Sequence, residues 1–134
     1  MAESITIILL PALIIGCILA LIEMIFVHSD EIGMGWFMHG LHAVPFTILF
    51  VFINMNVTWA LAFMPGKLTA SFWVVLGVRA GIAIIGMLKI SAAAAIAGRV
   101  GERFHHTLII GALIFAIPYI WDLIGPSMPI PNWF

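Results

Sequence analysis

The sequence predicts an all-α membrane protein built as a bundle of four transmembrane helices. Hydrophobic residues make up 64% of the 134 residues and charged residues only 8%, whereas soluble globular domains carry about 25% charged residues. Four long apolar stretches each approach the roughly 20 residues that a helix needs to cross the hydrocarbon core. Helices are expected because open strands leave backbone hydrogen-bonding groups unsatisfied in lipid. The chain is therefore predicted to form one polytopic domain, residues 1–134.

The four predicted spans follow from the apolar runs and the polar breaks between them. They cover residues 5–27, 41–64, 72–98 and 107–125. VHSDEIGMGWFMHGLH joins the first two spans, PGKLTAS joins the second and third, and RVGERFHH joins the last two. Pro45 is predicted either in the first turn of the second span or at a kink just inside it, because proline lacks the backbone N–H.

Consecutive spans alternate in direction, so the first and third connections lie on one side of the membrane. This side carries all the histidines, together with an acidic pair, namely His28, His39, His42, His105, His106, Asp30 and Glu31. Arg99 and Arg103 on this side outnumber Lys67 on the other, which by the positive-inside rule favours a cytoplasmic histidine face. Both termini are then predicted on the opposite face.

Charged residues also fall inside the apolar stretches, where a charge near the bilayer centre costs at least about 2.5–3.5 kcal/mol. They are Glu23, Arg79, Lys89 and Asp122. Depth along the helices predicts two intramembrane pairs. Glu23 and Lys89 lie in the half nearer the histidine face, and Arg79 and Asp122 lie in the other half. These pairs either fix how the helices dock or form part of a pathway for protons or ions.

The third span carries the clearest packing motif. Gly77 and Gly81 have the GxxxG spacing, and SAAAAIAG continues a surface of small side chains. Small residues let helix backbones approach closely in lipid, where apolar side chains gain little by meeting one another. The third span is therefore predicted to be a central or interface helix whose two glycines contact another helix. Gly16 and Ala20 form a weaker version of the motif in the first span.

The polar residues of the histidine face form a candidate metal or proton site. His39 and His42 are three residues apart, so on a helix they project from one face and could share a ligand. The full candidate set is His28, Asp30, Glu31, His39, His42, His105 and His106. Imidazole and carboxylate ligands suit zinc, manganese or iron, although the spacing matches no strong metal motif. The alternatives are a proton relay and ordinary solvation of a connection in the headgroup layer.

Two functions are compatible with these features. No common enzyme motif occurs, and a net charge of −1 predicts no nucleic-acid partner. The first hypothesis is a non-enzymatic subunit in the lipid bilayer that assembles through the third span into a homo-oligomer or larger membrane complex. The second is a small transporter or channel for protons or divalent metal cations that uses Glu23, Asp122 and the histidines. A glutamate in the first of four spans resembles the plan of small multidrug antiporters, from which the long first connection, Arg79 and Lys89 depart.

Overall fold

The computed structural model describes residues 6–30, 33, 35–65, 71–96 and 103–129, and for residues 42, 91 and 93–96 it describes the backbone alone. These residues form α1 (Leu10–Asp30), α2 (Trp36–Met55), α3 (Val57–Leu61), α4 (Phe72–Ile96) and α5 (Phe104–Ile124), followed by a 3-10 turn at Gly125–Ser127. No strand occurs in this described part of the chain. Helices α1, α2, α4 and α5 are long and apolar enough to cross a membrane, so the predicted all-α class with four such helices is confirmed.

Helices α2 and α5 form the middle of the bundle. Each of them contacts α1, α4 and the other, whereas no Cα atoms of α1 and α4 approach within 8 Å in their described residues. Helices α1 and α4 therefore lie at opposite edges. The sequence predicts the third span as a central or interface helix, and within a single chain its helix, α4, is an edge helix.

The interior combines an apolar core with many polar side chains. The core includes Leu19, Val51, Met55, Ile110 and Ile114. Polar residues are buried as well, namely Glu23, His39, Thr47, Asn54, Asn56, Arg79 and Thr107. The outer surface is apolar instead, with Ile18, Phe37 and Leu123 exposed by 56%, 77% and 80%. Soluble monomers rarely expose large contiguous apolar surfaces, so this distribution suits a surrounding of lipid.

Close helix packing depends on glycines other than the GxxxG pair. A Cβ on Gly16 would lie 3.2 Å from the Cα of Ile48 on α2, and one on Gly111 would lie 3.3 Å from a side chain of α4. At Gly77 and Gly81 a Cβ would meet no described atom of another helix within 4 Å. Gly16 and Gly111 therefore allow neighbouring helices to approach, while Gly77 and Gly81 border open space.

At the end of the bundle that carries the histidines, three of the helices extend beyond the predicted spans. Helix α1 continues to Asp30, α2 already begins at Trp36, and α5 begins at Phe104. Helical turns, rather than connections, therefore carry His28, His39, His105 and His106. The predicted bounds fell where polar residues begin, but here some of these residues, such as His39, point into the bundle. Pro45 lies inside α2 rather than in its first turn.

Asn56 divides the predicted second span. Its backbone, with φ −106° and ψ 18°, is not helical, so α2 ends before it and α3 begins after it. The Asn56 Oδ1 atom accepts a hydrogen bond from Ile8 N at 2.6 Å. Its Nδ2 donates to the carbonyls of Ile8 at 3.0 Å and of Phe52 at 2.8 Å. The side chain thus competes with helical backbone bonds and joins the segment before α1 to the end of α2.

Candidate functional site

Most of the predicted site residues that the structure describes lie at the histidine end, the end of the bundle where α1 finishes at Asp30 and α2 and α5 begin at Trp36 and Phe104. The connection between α1 and α2 is short and includes Gly33, whose φ is 96°. Glycine adopts this left-handed conformation without the steric penalty that a Cβ would bring. The turn places the last turn of α1 beside the first turn of α2.

His28 and His39 form the contact between these two turns. Their Nδ1 atoms are 3.1 Å apart. The His28 ring also stacks on Trp36, with ring centroids 3.8 Å apart, and His39 is fully buried. A hydrogen bond between two Nδ1 atoms needs one N–H and one lone pair, so the rings share a single proton at this contact. The pair is therefore able to accept, hold and pass on one proton.

Glu23 is a second fully buried ionisable residue on the same side of the bundle. It precedes His28 on α1 by five residues, about 7.5 Å along the helix axis. Both Glu23 and His39 are 0% exposed. A buried charge is costly unless it is paired and hydrogen-bonded. Whether either buried group is charged therefore depends on the groups around it. A carboxyl group and an imidazole on two adjacent helices are thus shielded from water near the histidine end.

Asp30 links α1 to the start of α5. Its side chain is 1% exposed, and Oδ2 accepts a hydrogen bond from Arg103 N at 3.0 Å and lies 2.7 Å from His106 Nδ1. The Asp30 Oδ1 atom lies 3.4 Å from Arg103 Nε. Arg103 is the N-cap residue of α5, and the partial positive charge at a helix N-terminus favours a carboxylate. Phe26 of α1 stacks on His106 at a centroid distance of 4.3 Å, so α1 and α5 are joined by both polar and aromatic contacts.

The predicted metal site is not assembled from the residues that the structure describes. Within them, no three His, Cys, Asp or Glu side chains are grouped so that they could hold a metal ion. Glu31 and the side chain of His42 lie outside the described residues. His105 packs edge-on against His106, with ring centroids 4.2 Å apart. The described imidazoles are therefore arranged in pairwise contacts rather than around one point.

The predicted partners Arg79 and Asp122 lie at the opposite end of the bundle, where α1 and α4 begin. Arg79 is 7% exposed, and its Cζ lies 4.8 Å from the centroid of the Tyr119 ring. Asp122 is exposed, and both side chains line one cavity of about 150 Å³. No ion pair within 4.0 Å joins these two described side chains, since the guanidinium rests on the aromatic ring instead.

The other predicted pair joins Glu23 to Lys89. Lys89 is exposed on α4, and its Nζ lies 5.3 Å from the centroid of the Phe46 ring. A contact with Glu23 would bridge α4 and α1, whose described Cα atoms stay more than 8 Å apart. The structure therefore assigns Lys89 an aromatic neighbour on α2, and the pairing with Glu23 stays a prediction.

Three residues belong to the histidine end although the sequence did not predict them as site residues. They are Phe26, Trp36 and Arg103, which stack on or bond to the site residues. Trp36 contacts His28 and Arg103 contacts Asp30, in each case on a different helix, so no spacing along one helix indicates these contacts. No protein-family model, curated protein or solved structure matches the chain.

Proposed function

We propose that the protein is an integral membrane protein in which α1, α2, α4 and α5 each cross the bilayer. Two features support this proposal, the apolar outer surface and the polar side chains inside the bundle. Lipid tails would surround the apolar outer surface, and the helices would separate the buried polar side chains from lipid. Four crossings place both termini on the side opposite to the histidine end. The distribution of Lys and Arg favours a cytoplasmic histidine end.

The function that the geometry supports best is transport of protons, or of a cation in exchange for protons, through the histidine end. The observation that carries this proposal is the full burial of Glu23 on α1 and of His39 on α2. Ionisable side chains inside membrane spans are expensive, and in known membrane proteins they mark ion pathways and proton relays. His28, half-buried and bonded to His39, connects this buried pair to the surface of the bundle.

The two imidazoles support a stepwise transfer. His28 takes up a proton from water at Nε2 and releases the one on Nδ1 to His39 across the 3.1 Å contact. His39 then carries a proton on each ring nitrogen and releases the one on its buried Nε2 toward the interior. Glu23 is the carboxylate that accepts a proton at this depth or balances the imidazolium charge. The complete sequence moves one proton inward and leaves both rings neutral, with His28 then protonated at Nε2 and His39 at Nδ1.

The rest of the interior favours a coupled transporter over an open channel. Between His39 and Arg79 the described interior combines apolar side chains such as Val51, Ile110 and Ile114 with the buried Thr47 and Asn54, and all five are 0% exposed. Such close packing disfavours a continuous file of water through these residues. A proton that reaches Glu23 therefore crosses only when the helices rearrange, which is how alternating-access carriers work.

A pH-gradient assay in proteoliposomes tests this function. With a pH-sensitive dye enclosed, vesicles containing the wild-type chain should lose an imposed gradient faster than vesicles without protein. Glu23→Gln should abolish the protein-dependent rate, because glutamine keeps the size of the side chain but does not titrate. Leu19→Met is the matched control, since it changes a buried neighbour one turn earlier on α1 without altering a titratable group.

The outcomes separate the proposal from a purely structural role. Equal rates for wild type and Glu23→Gln, with both variants folded by circular dichroism, would contradict the proposal. The same contradiction follows if wild-type vesicles behave like empty ones across repeated gradients of either sign, with and without added zinc or manganese. Uptake of either metal into the vesicles, in step with the loss of the pH gradient, would identify a divalent cation as the exchanged species.

A second function, lateral assembly through α4, is favoured by a different observation. Gly77 and Gly81 border open space, and their neighbours Ile84, Ile85 and Leu88 are more than half exposed. An edge helix with two outward glycines offers a surface on which another helix can approach closely in lipid. The partner is a second copy of the chain or another subunit of a membrane complex.

Replacing both glycines tests this assembly. The double variant Gly77→Leu/Gly81→Leu should lower the association measured by cross-linking in lipid nanodiscs. The fold of the single chain should be unchanged, because a Cβ at either position meets no other helix. Leu76→Ile is the control on the same helix and should associate like wild type. An unchanged oligomer in the double variant would refute the α4 interface.

A further inference from the structure

The cavity around Arg79 is a second candidate site, at the end of the bundle opposite to the histidines. Its lining combines apolar walls with the polar side chains of Thr58, Arg79 and Asp122. A wider cleft of about 310 Å³ shares Ile8, Trp121 and Asp122 with the cavity of about 150 Å³. The shared residues place the two spaces side by side, on either side of Trp121 and Asp122.

Arg79 supplies a buried cation to this cavity. Its side chain is 7% exposed, and the guanidinium is a cation with five N–H donors. The Tyr119 ring covers it at 4.8 Å, but Nε has no hydrogen-bond partner in the described structure. A buried charge with an unmet donor is costly, so the site favours an occupant that brings an anionic acceptor.

Asp122 and Trp121 supply the complementary chemistry on another wall. Asp122 carries an exposed carboxylate that forms no ion pair with Arg79 within 4.0 Å in the described structure. Trp121 is half-buried and lines both the cavity and the cleft. A carboxylate beside an indole suits an ammonium group, which gains an ion pair and a cation–π contact. A ligand with only an acidic group would be repelled by Asp122.

We propose that this cavity binds a zwitterionic phosphoethanolamine group, with the phosphate at Arg79 and the ammonium at Asp122. The group comes from a phosphatidylethanolamine molecule whose acyl chains lie along the apolar outer surface. The lipid source follows from the proposed membrane crossing, because the cleft then opens near the headgroup layer. Free phosphoethanolamine has the same chemistry, and the experiment distinguishes the two sources. The site is distinct from the proposed proton pathway.

Lipid retention measured by native mass spectrometry tests the proposal on the purified full chain. Wild type should retain phosphatidylethanolamine about tenfold better than phosphatidylglycerol of equal chain length, since one charged contact corresponds to roughly that factor. Asp122→Asn should remove this preference while leaving phosphatidylglycerol bound. Arg79→Gln should lower retention of both lipids. Lys89→Gln, which removes an exposed cation elsewhere on α4, is the control and should match wild type.

Each outcome decides the matter. Equal retention of both lipids by wild type, or an undiminished preference in Asp122→Asn, overturns the proposal even if Arg79→Gln fails to fold. Competition by millimolar free phosphoethanolamine supports the site and identifies the headgroup as sufficient, whereas retention without competition supports the lipid as the source. If the protein binds neither phosphatidylethanolamine nor free phosphoethanolamine, the proposal is also overturned. The readout is independent of the pH-gradient assay, so the two proposals fail separately.

Discussion

Asn54 on α2 compensates for a hydrogen bond that α5 lacks. Pro118 has no backbone N–H, so the carbonyl of Ile114, four residues earlier, has no helical donor at that position. Asn54 Nδ2 donates to this carbonyl at 2.5 Å across 60 positions of sequence. The bond is buried, and it therefore both satisfies the Ile114 carbonyl and holds α2 against α5.

Asn54→Leu should destabilise the fold by about 1–2 kcal/mol, because it leaves a buried carbonyl without a donor. The loss is measured as a lower midpoint of thermal unfolding in detergent. Pro118→Ala restores an amide at position 118 that can bond to Ile114, so the double variant should recover part of the loss. If the two losses simply add, the compensation described here does not exist.

The polar residues of α2 show how far residue-level prediction reaches. Asn54 forms an interhelical hydrogen bond to α5, and Asn56 bonds to Ile8 in the segment before α1. The sequence shows both as polar positions in an apolar stretch, where such a side chain needs a hydrogen-bond partner. It did not show that His39 is fully buried while Met38 beside it is 45% exposed. Whether a side chain of α2 points into the bundle or outward depends on how α2 is rotated about its axis relative to α1 and α5. The sequence specifies that rotation poorly, because a lipid-exposed helix is apolar on its outer face as well as on its inner face.

At the scale of helices, two glycines matter because of what lies opposite them. Gly16 meets the backbone of α2, and Gly111 meets α4, whereas the GxxxG pair of α4 meets open space within the chain. The motif was visible in the sequence, but its partner was not. Small residues show that a helix can approach another closely, and the loop lengths and core side chains decide which helix it approaches.

Gly16→Ala should destabilise the protein by about 1 kcal/mol, since the strain of overpacking exceeds the gain in helix propensity. The added Cβ would lie 3.2 Å from the Cα of Ile48, a backbone atom that cannot move without shifting α2. Thermal unfolding in detergent measures the effect. Gly40→Ala is the matched control, because its Cβ would lie 3.7 Å from Met24 Sδ, an ordinary contact. Equal midpoints for both variants would show that α1 and α2 are not tightly packed at Gly16.

At the scale of the whole molecule, the number and alternation of the helices were the most predictable features. A helix satisfies its backbone hydrogen-bonding groups internally, as a lipid environment demands. The lengths of the apolar stretches alone therefore predicted all four long helices. The end of α1 and the start of α5 were predicted on the same side of the bundle. The contacts of Asp30 with the start of α5 join them directly. Apolar length gave no hint of the break at Asn56, which depends on a side chain that bonds to Ile8.

Cysteine labelling tests the proposed crossing of the membrane. Cys17 is the single cysteine of the chain, so Cys17→Ser provides a background without thiols. In intact vesicles, a membrane-impermeant maleimide should label Gly35→Cys from one side and Met128→Cys from the other. Both positions are exposed at the two ends of the bundle. Labelling of both variants from the same side would mean an even number of crossings between the two positions. That result would contradict the three crossings, by α2, α4 and α5, that are proposed.

The edge positions of α1 and α4 have a consequence for biosynthesis. Helix α1 packs most extensively against α2, its neighbour in sequence, and α4 packs most extensively against α5. In the proposed membrane topology, each half of the chain is thus a helical hairpin that can insert as a unit, before the other half has been made. Joining the hairpins then requires that α2 meet α4 and α5 and that α1 meet the start of α5, a late step between two preformed pieces. A gene split between codons 65 and 71 would therefore encode two polypeptides that find each other in the bilayer.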